Sequence, residues 1–298
     1  MSIVWIEKYR PKNLDDVVGN GSIVEVFKVF AEDESMPHII LTGSPGIGKT
    51  TLAECLLNRV FQDPARKKEH VLEMNASDER GVDVIRTKIK AFLQKKLAGT
   101  RYLVLDESDS MTSAAQQSMR RLLEVHANAK FIFICNDISK VADAIQSRCA
   151  IVRLSPLTSQ DLVAIIEKIS KEEQLTISGS SINLIAETSE GDARQAINFL
   201  QTLSSISKEV SDSLVRQMTH LPPINLVRKM VLSASKKESF SILQSLFAEG
   251  YTPEDIAKMV FKIGKDQNSP ALLEKSAKLL LKTSESPSQI HFYSFILE

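Results

Sequence analysis

Cysteine is scarce in this 298-residue chain: Cys55, Cys135 and Cys149 are the only three, and none stands in C-x-x-C spacing. That argues against a disulfide framework or a cysteine zinc site and predicts reduced, partly buried thiols in an intracellular protein. The five histidines form no metal-ligand motif. Excess charge of either sign is also missing, since 37 basic and 37 acidic residues give a formal net charge of +0. Any contact with nucleic acid must then come from a local patch rather than the bulk field. There is no apolar run long enough to span a bilayer, no N-terminal signal pattern and no internal repeat. The basic cluster "ARKKEH" (65–70) is too weak to read as a nuclear signal.

What is present is ordinary globular usage, 43% hydrophobic and 25% charged, over a length that suggests two or three domains. The first half alternates. Short apolar runs at 38–43, 71–76, 101–107, 130–136 and 150–154 read as strands, with helical patterns between them. In 83–96, Ile85, Ile89, Phe92 and Leu93 share one helical face; in 112–125, Ala115, Met119, Leu122 and Leu123 do, with Thr112 or Ser113 as N-cap. Such alternation predicts a parallel sheet covered on both faces. After Pro156 the patterns are helical: 159–173, 180–190 and 192–203, then, beyond Pro222 and Pro223, runs near 224–234, 238–248, 253–263 and 270–282. The last segment, "SESPSQIHFYSFILE", stays open between a turn and a short apolar element.

"GSPGIGKT" (Gly43–Thr50) fits G-x-x-x-x-G-K-[ST] and stands between an apolar strand and a helix, the context this phosphate loop requires. Gly43, Ser44, Pro45, Gly46, Ile47 and Gly48 would turn backbone N–H groups toward a polyphosphate at a helix N-terminus. Lys49 would reach the β- and γ-phosphates, and Thr50 would hold Mg²⁺. "YLVLDESD" (102–109) ends an apolar strand in Asp106, suited to the Mg²⁺ shell, and Glu107, suited to orienting water. Together these motifs predict a P-loop ATPase. Asn136 ends another strand, where its carboxamide can position water or simply close a turn. Arg194 opens a helix against the dipole preference, which an anionic partner or a pair with Asp192 or Glu190 would explain. Arg148, in "DAIQSRCAIVRL", reads alone as structural.

The ordered set "WIEKYRPKNLDDVVGN" (5–20), "GSPGIGKTT" (43–51), "LEMNASDERGVDVIR" (72–86), "LDESDSMT" (105–112), "FICN" (133–136), "IQSRCAI" (145–151) and "EGDARQAINFLQ" (190–201) resembles the small subunits of replication factor C, the AAA+ sliding-clamp loader of eukaryotes and archaea. The resemblance spans roughly residues 4–260 and leans toward one eukaryotic branch, which implies a nuclear protein. It implies an α/β AAA+ domain with a five-stranded parallel sheet (1–154), an all-α lid (155–218) and an all-α collar (219–298) joining five subunits in a ring. It places Ile6, Tyr9, Arg10 and Val18 around the adenine and phosphates, and Gly43 to Thr51 around the triphosphate. Asp106 would organise Mg²⁺, Glu107 activate water, Asn136 serve as sensor 1 and Arg194 as sensor 2. Arg148 would be an arginine finger completing the neighbouring subunit's ATP site. Partners would be the other loader subunits, the ring clamp and primer–template DNA. Arg80, Arg86, Lys90 and Thr112 become DNA-contact candidates, and Gln116 and Arg120 could track a phosphate backbone. The stripe around Ile89 and Phe92 could touch the clamp or pack on the sheet.

Two departures stand out. Ser108 replaces the alanine of the usual Asp-Glu-Ala-Asp box, and the last segment fits the usual collar ending poorly. A nucleotide-binding subunit without turnover is a rival, against which Lys49, Asp106 and Glu107 speak. A branch-migration helicase is another, against which "NASDERG" and "SRC" speak.

Overall fold

A computed structural model describes residues 4–32, 36–77, 82–95, 97–126, 128–219, 222–233, 235–267 and 269–297, with the side chains of 82–86 and 219 outside the description. The chain divides into two compact units, Met1–Ser211 and Asp212–Glu298.

The five apolar runs of the first unit form β1 (Ile39–Thr42), β2 (Val71–Asn75), β3 (Arg101–Asp106), β4 (Ala129–Cys135) and β5 (Ala150–Arg153). They pair in parallel in the order β2-β3-β4-β1-β5. Helices fill the connections: α1 (Trp5–Lys8) and α2 (Gly21–Glu32) before β1, α3 (Lys49–Val60) and α4 (Pro64–His70) before β2, α5 (Val82–Leu93) before β3, α6 (Ser113–Val125) before β4, and α7 (Asp143–Gln146) before β5.

Alternate strand residues face opposite sides of the sheet. Ile40, Leu103, Leu105, Phe131 and Phe133 pack with Ile89 and Phe92 of α5 and Met119 and Leu122 of α6. Ile39, Leu41, Val104, Ile132 and Ile134 pack with Phe27 of α2 and Leu52, Leu56 and Leu57 of α3. Both faces are covered, which is why the strands read as continuous apolar runs. Ile89 and Phe92 are 0% and 5% exposed, so they are core rather than clamp-facing residues.

The lid part of this unit comprises α8 (Ser159–Glu172), α9 (Gly179–Thr188) and α10 (Ala193–Ile206) around buried Leu162, Ile166, Ile169, Ile185 and Leu200. A capping box starts α8: Thr158 Oγ1 accepts from Asp161 N–H, and the Asp161 carboxylate accepts from Thr158 N–H. Two-residue strands, β6 (Thr176–Ile177) and β7 (Glu209–Val210), pair in parallel beside these helices. They are too short to leave a periodic signal in the sequence.

The second unit is helical throughout its described residues: α11 (Asp212–Thr219), α12 (Ile224–Leu232), α13 (Lys236–Ala248), α14 (Pro253–Asp266), α15 (Pro270–Glu285) and α16 (Ile290–Leu297). Val227, Leu243, Leu246, Ile256, Val260 and Ile263 form its core. The segment left open by the sequence is α16, whose fully buried Phe292 meets Phe247 edge-on at 5.8 Å between ring centroids. α14 and α15 approach closely at Gly264, where an added Cβ would lie 2.7 Å from Ser276 Oγ. Among the described residues no helix is long and apolar enough to cross a membrane.

Candidate active site

Parallel pairing brings the carboxyl ends of all five strands to one edge of the sheet. With β4 between β3 and β1, the loops leaving these three strands are neighbours there. Open α/β sheets gather their ligand-binding groups at such an edge.

The first loop follows Thr42 and turns into α3. Gly46 and Gly48 have φ of 68° and 93°, in the left-handed region that costs glycine little. Gly46 has a second constraint, since an added Cβ would lie 1.8 Å from Asp192 Oδ1. Lys49 opens α3 and is only 8% exposed. Its Nζ donates to the carbonyls of Gly43 and Ser44, both at 2.7 Å, and to Asn136 Oδ1 at 2.8 Å. Burial pulls the ammonium below its ordinary pKa; Asp106 opposes that shift and Arg194 adds to it. An anion added here would therefore meet a cation short of counter-charge.

The second loop follows β3. Thr50 Oγ1 donates to Asp106 Oδ2 at 2.9 Å. Glu107 takes φ 52° and ψ 39°, a left-handed conformation costing a non-glycine residue about 1–2 kcal/mol. Hydrogen bonds hold it there: its N–H donates to Asp106 Oδ1 at 2.8 Å, and its carbonyl accepts from Ser110 N–H and Oγ at 2.9 and 2.7 Å. Ser108 is fully buried, and its hydroxyl donates to the Ile134 carbonyl at 2.9 Å. Asp109 Oδ2 accepts from the N–H groups of Asn136 and Asp137 at 3.1 and 3.2 Å. The acidic box thus fastens the end of β4, the third loop, to itself.

The lid supplies a further wall. Ala193 N–H donates to the Gly46 carbonyl at 3.1 Å, and Asp192 caps α10 by accepting from Gln195 N–H at 3.0 Å. Arg194 lines the cavity and makes no ion pair among the described residues, so the pairing with Asp192 or Glu190 is not formed. Ile6, Tyr9, Arg10 and Val18 line the same cavity with Pro45 to Thr51, Asp106, Glu107 and Asn136. Gly43 and Ser44 enter through the carbonyls that hold Lys49. Arg10 is balanced by Glu7 and Glu54, each at 3.4 Å.

The amino-terminal segment is clasped to the lid. Tyr9 Oη and Lys8 Nζ donate to Glu173 Oε1 at 2.7 and 2.6 Å, and Trp5 N–H donates to Gln201 Oε1 at 3.0 Å. The hydrogen bonds from Lys8 and then Tyr9 hold the Glu173 carboxyl below its ordinary pKa. Sequence reasoning missed Glu173, and also Ala164, Ile165 and Lys168 of α8, which line the cavity. A signal was there: Ile166 is in the lid core, so the adjacent Ile165 must point elsewhere.

Arg148 lies apart from this cavity. It precedes β5 by two residues, and the first residue of β5 pairs with the first of β1. Arg148 therefore sits at the amino edge of the sheet, separated from the phosphate loop by the length of a four-residue strand, about 13 Å. Its Nη2 donates to Glu124 Oε1 at 2.6 Å, and its Nη1 donates to the Ala144 carbonyl at 2.8 Å and to Ser147 Oγ at 3.3 Å.

Of the DNA-contact candidates, Arg80 and the Arg86 side chain lie outside the described residues. Lys90 is exposed on α5. Thr112 caps α6, its Oγ1 accepting from Ala115 N–H at 3.3 Å. Gln116 cannot track a backbone: it is 6% exposed, its amide NH₂ donating to the carbonyls of Met111 and Lys140.

Residues 39–157 match the model of the ATPase family associated with various cellular activities, AAA, and residues 164–205 match the RCF1/5-like AAA+ ATPase lid domain. A replication factor C small subunit of Methanococcus vannielii is 41% identical over 87% of this chain and 84% of its own. Replication factor C subunit 4 of Saccharomyces cerevisiae is 40% identical over 89% and 84%, and that of Encephalitozoon cuniculi 35% over 97% and 94%. The Holliday junction branch migration motor RuvB of Thermotoga maritima superposes with a TM-score of 0.61 over 81% of this chain and 85% of its own, at 17% identity, a likeness of fold alone. The sequence relatives go further than the fold, and by their extent and identity the chain belongs to the replication factor C small subunits, a family of AAA+ ATPases.

Proposed function

We propose that this chain binds and hydrolyses ATP with Mg²⁺ as one subunit of a five-membered clamp-loader ring. There it helps open the ring clamp, proliferating cell nuclear antigen, and load it at primer–template junctions in the nucleus. Residues 1–154 act as the nucleotide-binding domain, 155–218 as the lid and 219–298 as the collar.

The observation that carries this reading is the Thr50–Asp106 hydrogen bond of 2.9 Å beside a carbonyl-held Lys49. A hydroxyl and a carboxylate converging there are hard oxygen donors suited to Mg²⁺, and the lysine stands where a polyphosphate meets a helix N-terminus. Bound Mg²⁺ would neutralise charge on the β- and γ-phosphates. Lys49 would hold those phosphates, Gly43 to Thr51 would cradle them, and Ile6, Tyr9, Arg10 and Val18 would wall the base and phosphates. Glu107, held in its strained turn, would accept the proton of the attacking water. Asn136 would sense the γ-phosphate through its bond to Lys49, and Arg194 would meet it from the lid.

Arg148 would serve a neighbouring subunit's site, a reading supported by its place on the sheet edge away from its own. A finger supplied in trans raises the rate on the order of 10³–10⁵-fold in comparable NTPases. Arg80, Arg86, Lys90 and Thr112 would follow the DNA backbone; the capping Thr112 keeps its O–H to donate to a phosphate. Lys49→Ala should abolish ATP binding by this subunit in a filter or fluorescence titration, and unchanged affinity would overturn the site. Arg148→Ala should leave that binding intact while lowering turnover in the reconstituted complex.

A further inference from the structure

The guanidinium of Arg148 does not hang free. Nη1 spends both its N–H groups on the Ala144 carbonyl and Ser147 Oγ, and Nη2 spends one on Glu124. A guanidinium has five N–H donors in a fixed plane. Among the described residues, that leaves the Nε–H and one Nη2–H without an acceptor. α7 and α6 thus grip the fork from two sides. Glu124, at the end of α6, is itself steadied by Arg120, whose Nε donates to it at 3.3 Å. Hydrogen bonding to Arg120, with the charge of Arg148, keeps the Glu124 carboxyl below its ordinary pKa, so it remains an acceptor at neutral pH.

We infer that Glu124 is a positioning residue for the arginine finger: it fixes the plane of Arg148 so that the two remaining donors face the γ-phosphate bound by the neighbouring subunit. This rests on the reading of Arg148 as a finger in trans. A flexible arginine at a subunit boundary would have to be ordered at the moment of reaction, and misplacement by about 1 Å can cost on the order of 10²-fold in rate. A carboxylate that orders it beforehand removes part of that loss. Its own charge opposes the pull on phosphate, but Arg120 shares that charge.

The test uses the reconstituted complex, with the P-loop lysine substituted in every subunit, Lys49 of this chain included, except the neighbour whose site faces Arg148, so that only that site hydrolyses ATP. Glu124→Ala should lower kcat about tenfold with KM for ATP unchanged. Glu124→Asp should recover part of the loss, and Glu124→Gln, which keeps shape and an acceptor, should fall between. In the Arg148→Ala background Glu124→Ala should add nothing. Unchanged or raised kcat in Glu124→Ala, while Arg148→Ala alone lowers turnover to a still measurable rate, overturns the positioning role and leaves the finger standing. A raised kcat would mean that the carboxylate masks the finger. Unchanged turnover in Arg148→Ala overturns the finger and this inference together. Additive losses in the double variant would likewise sink the coupling, whatever the size of each.

Discussion

Glu173→Ala severs the clasp between the amino-terminal segment and the lid. Its carboxylate accepts from Tyr9 Oη at 2.7 Å and Lys8 Nζ at 2.6 Å. Solvent screens the lysine's share to little. The phenol is half-buried, and a hydrogen bond to a charged acceptor contributes about 1.5–3 kcal/mol net. Taking about 2 kcal/mol, the closed clasp loses roughly thirtyfold in its equilibrium. Tyr9 lines the cavity at the phosphate loop, so a nucleotide that bound there and needed Tyr9 in place would bind less tightly by the fraction of clasps closed. The loss of affinity is therefore bounded at roughly thirtyfold and shrinks as the Trp5–Gln201 bond keeps the clasp shut. The chain's single tryptophan, Trp5, sits in the clasp, edge-on to Tyr9 at 6.2 Å, so its emission reports closure directly. Glu173→Ala should red-shift that emission and weaken ATP binding. Tyr9→Phe should reproduce most of both, and the double variant should be no worse than the alanine. The pH sign follows from the lowered carboxyl: its contribution is intact above the ordinary value of 4.5 and is lost as pH falls through the depressed one, so the wild-type emission should shift only below pH 4.5. Unchanged emission and affinity in Glu173→Ala, or losses that add with Tyr9→Phe, would refute the clasp.

Asp109→Ala should lower kcat about tenfold with a smaller change in ATP affinity, because it frees the backbone of Asn136, whose side chain reaches Lys49, while among the described residues Asp109 itself makes no hydrogen bond to the phosphate loop; equal loss in both would place Asp109 in binding. Ile89→Ala should destabilise the first unit by about 2–5 kcal/mol in denaturant titrations; a clamp-binding defect at full stability would restore the surface reading. Gly264→Ala should cost about 1–3 kcal/mol through overpacking at Ser276, visible as a lower Tm; no change would show that the helices can give way. Burial pushes the thiols of Cys55 and Cys149 up to about 12 from 9.0, so iodoacetamide at pH 8 should label them on the order of a thousandfold more slowly than a free thiol; rapid labelling would contradict their burial.

The sheet was legible because a strand buried on both faces must be apolar throughout, as in "YLVL" before Asp106. The phosphate loop was legible because the turns at Gly46 and Gly48 take positive φ, which glycine adopts at the least cost. Ile89 was ambiguous from sequence, since a buried stripe and a docking stripe have the same period. Glu173 was invisible for a different reason: a surface carboxylate finds a partner 164 residues away only through packing, and no local pattern records it. The Glu124–Arg148 pair, 24 residues apart, is hidden in the same way.

The two edges of the sheet give the subunit a direction. On the proposed reading the nucleotide would be received at the carboxyl edge, and Arg148 would be offered at the amino edge. Copies or paralogues joined through these edges must stack head to tail, since a two-fold interface would set finger against finger and site against site. An arc of such subunits is polar, like a filament: one end carries a site with no donor, the other a donor with no site. If the two ends do not meet, such an assembly would have a first and a last member.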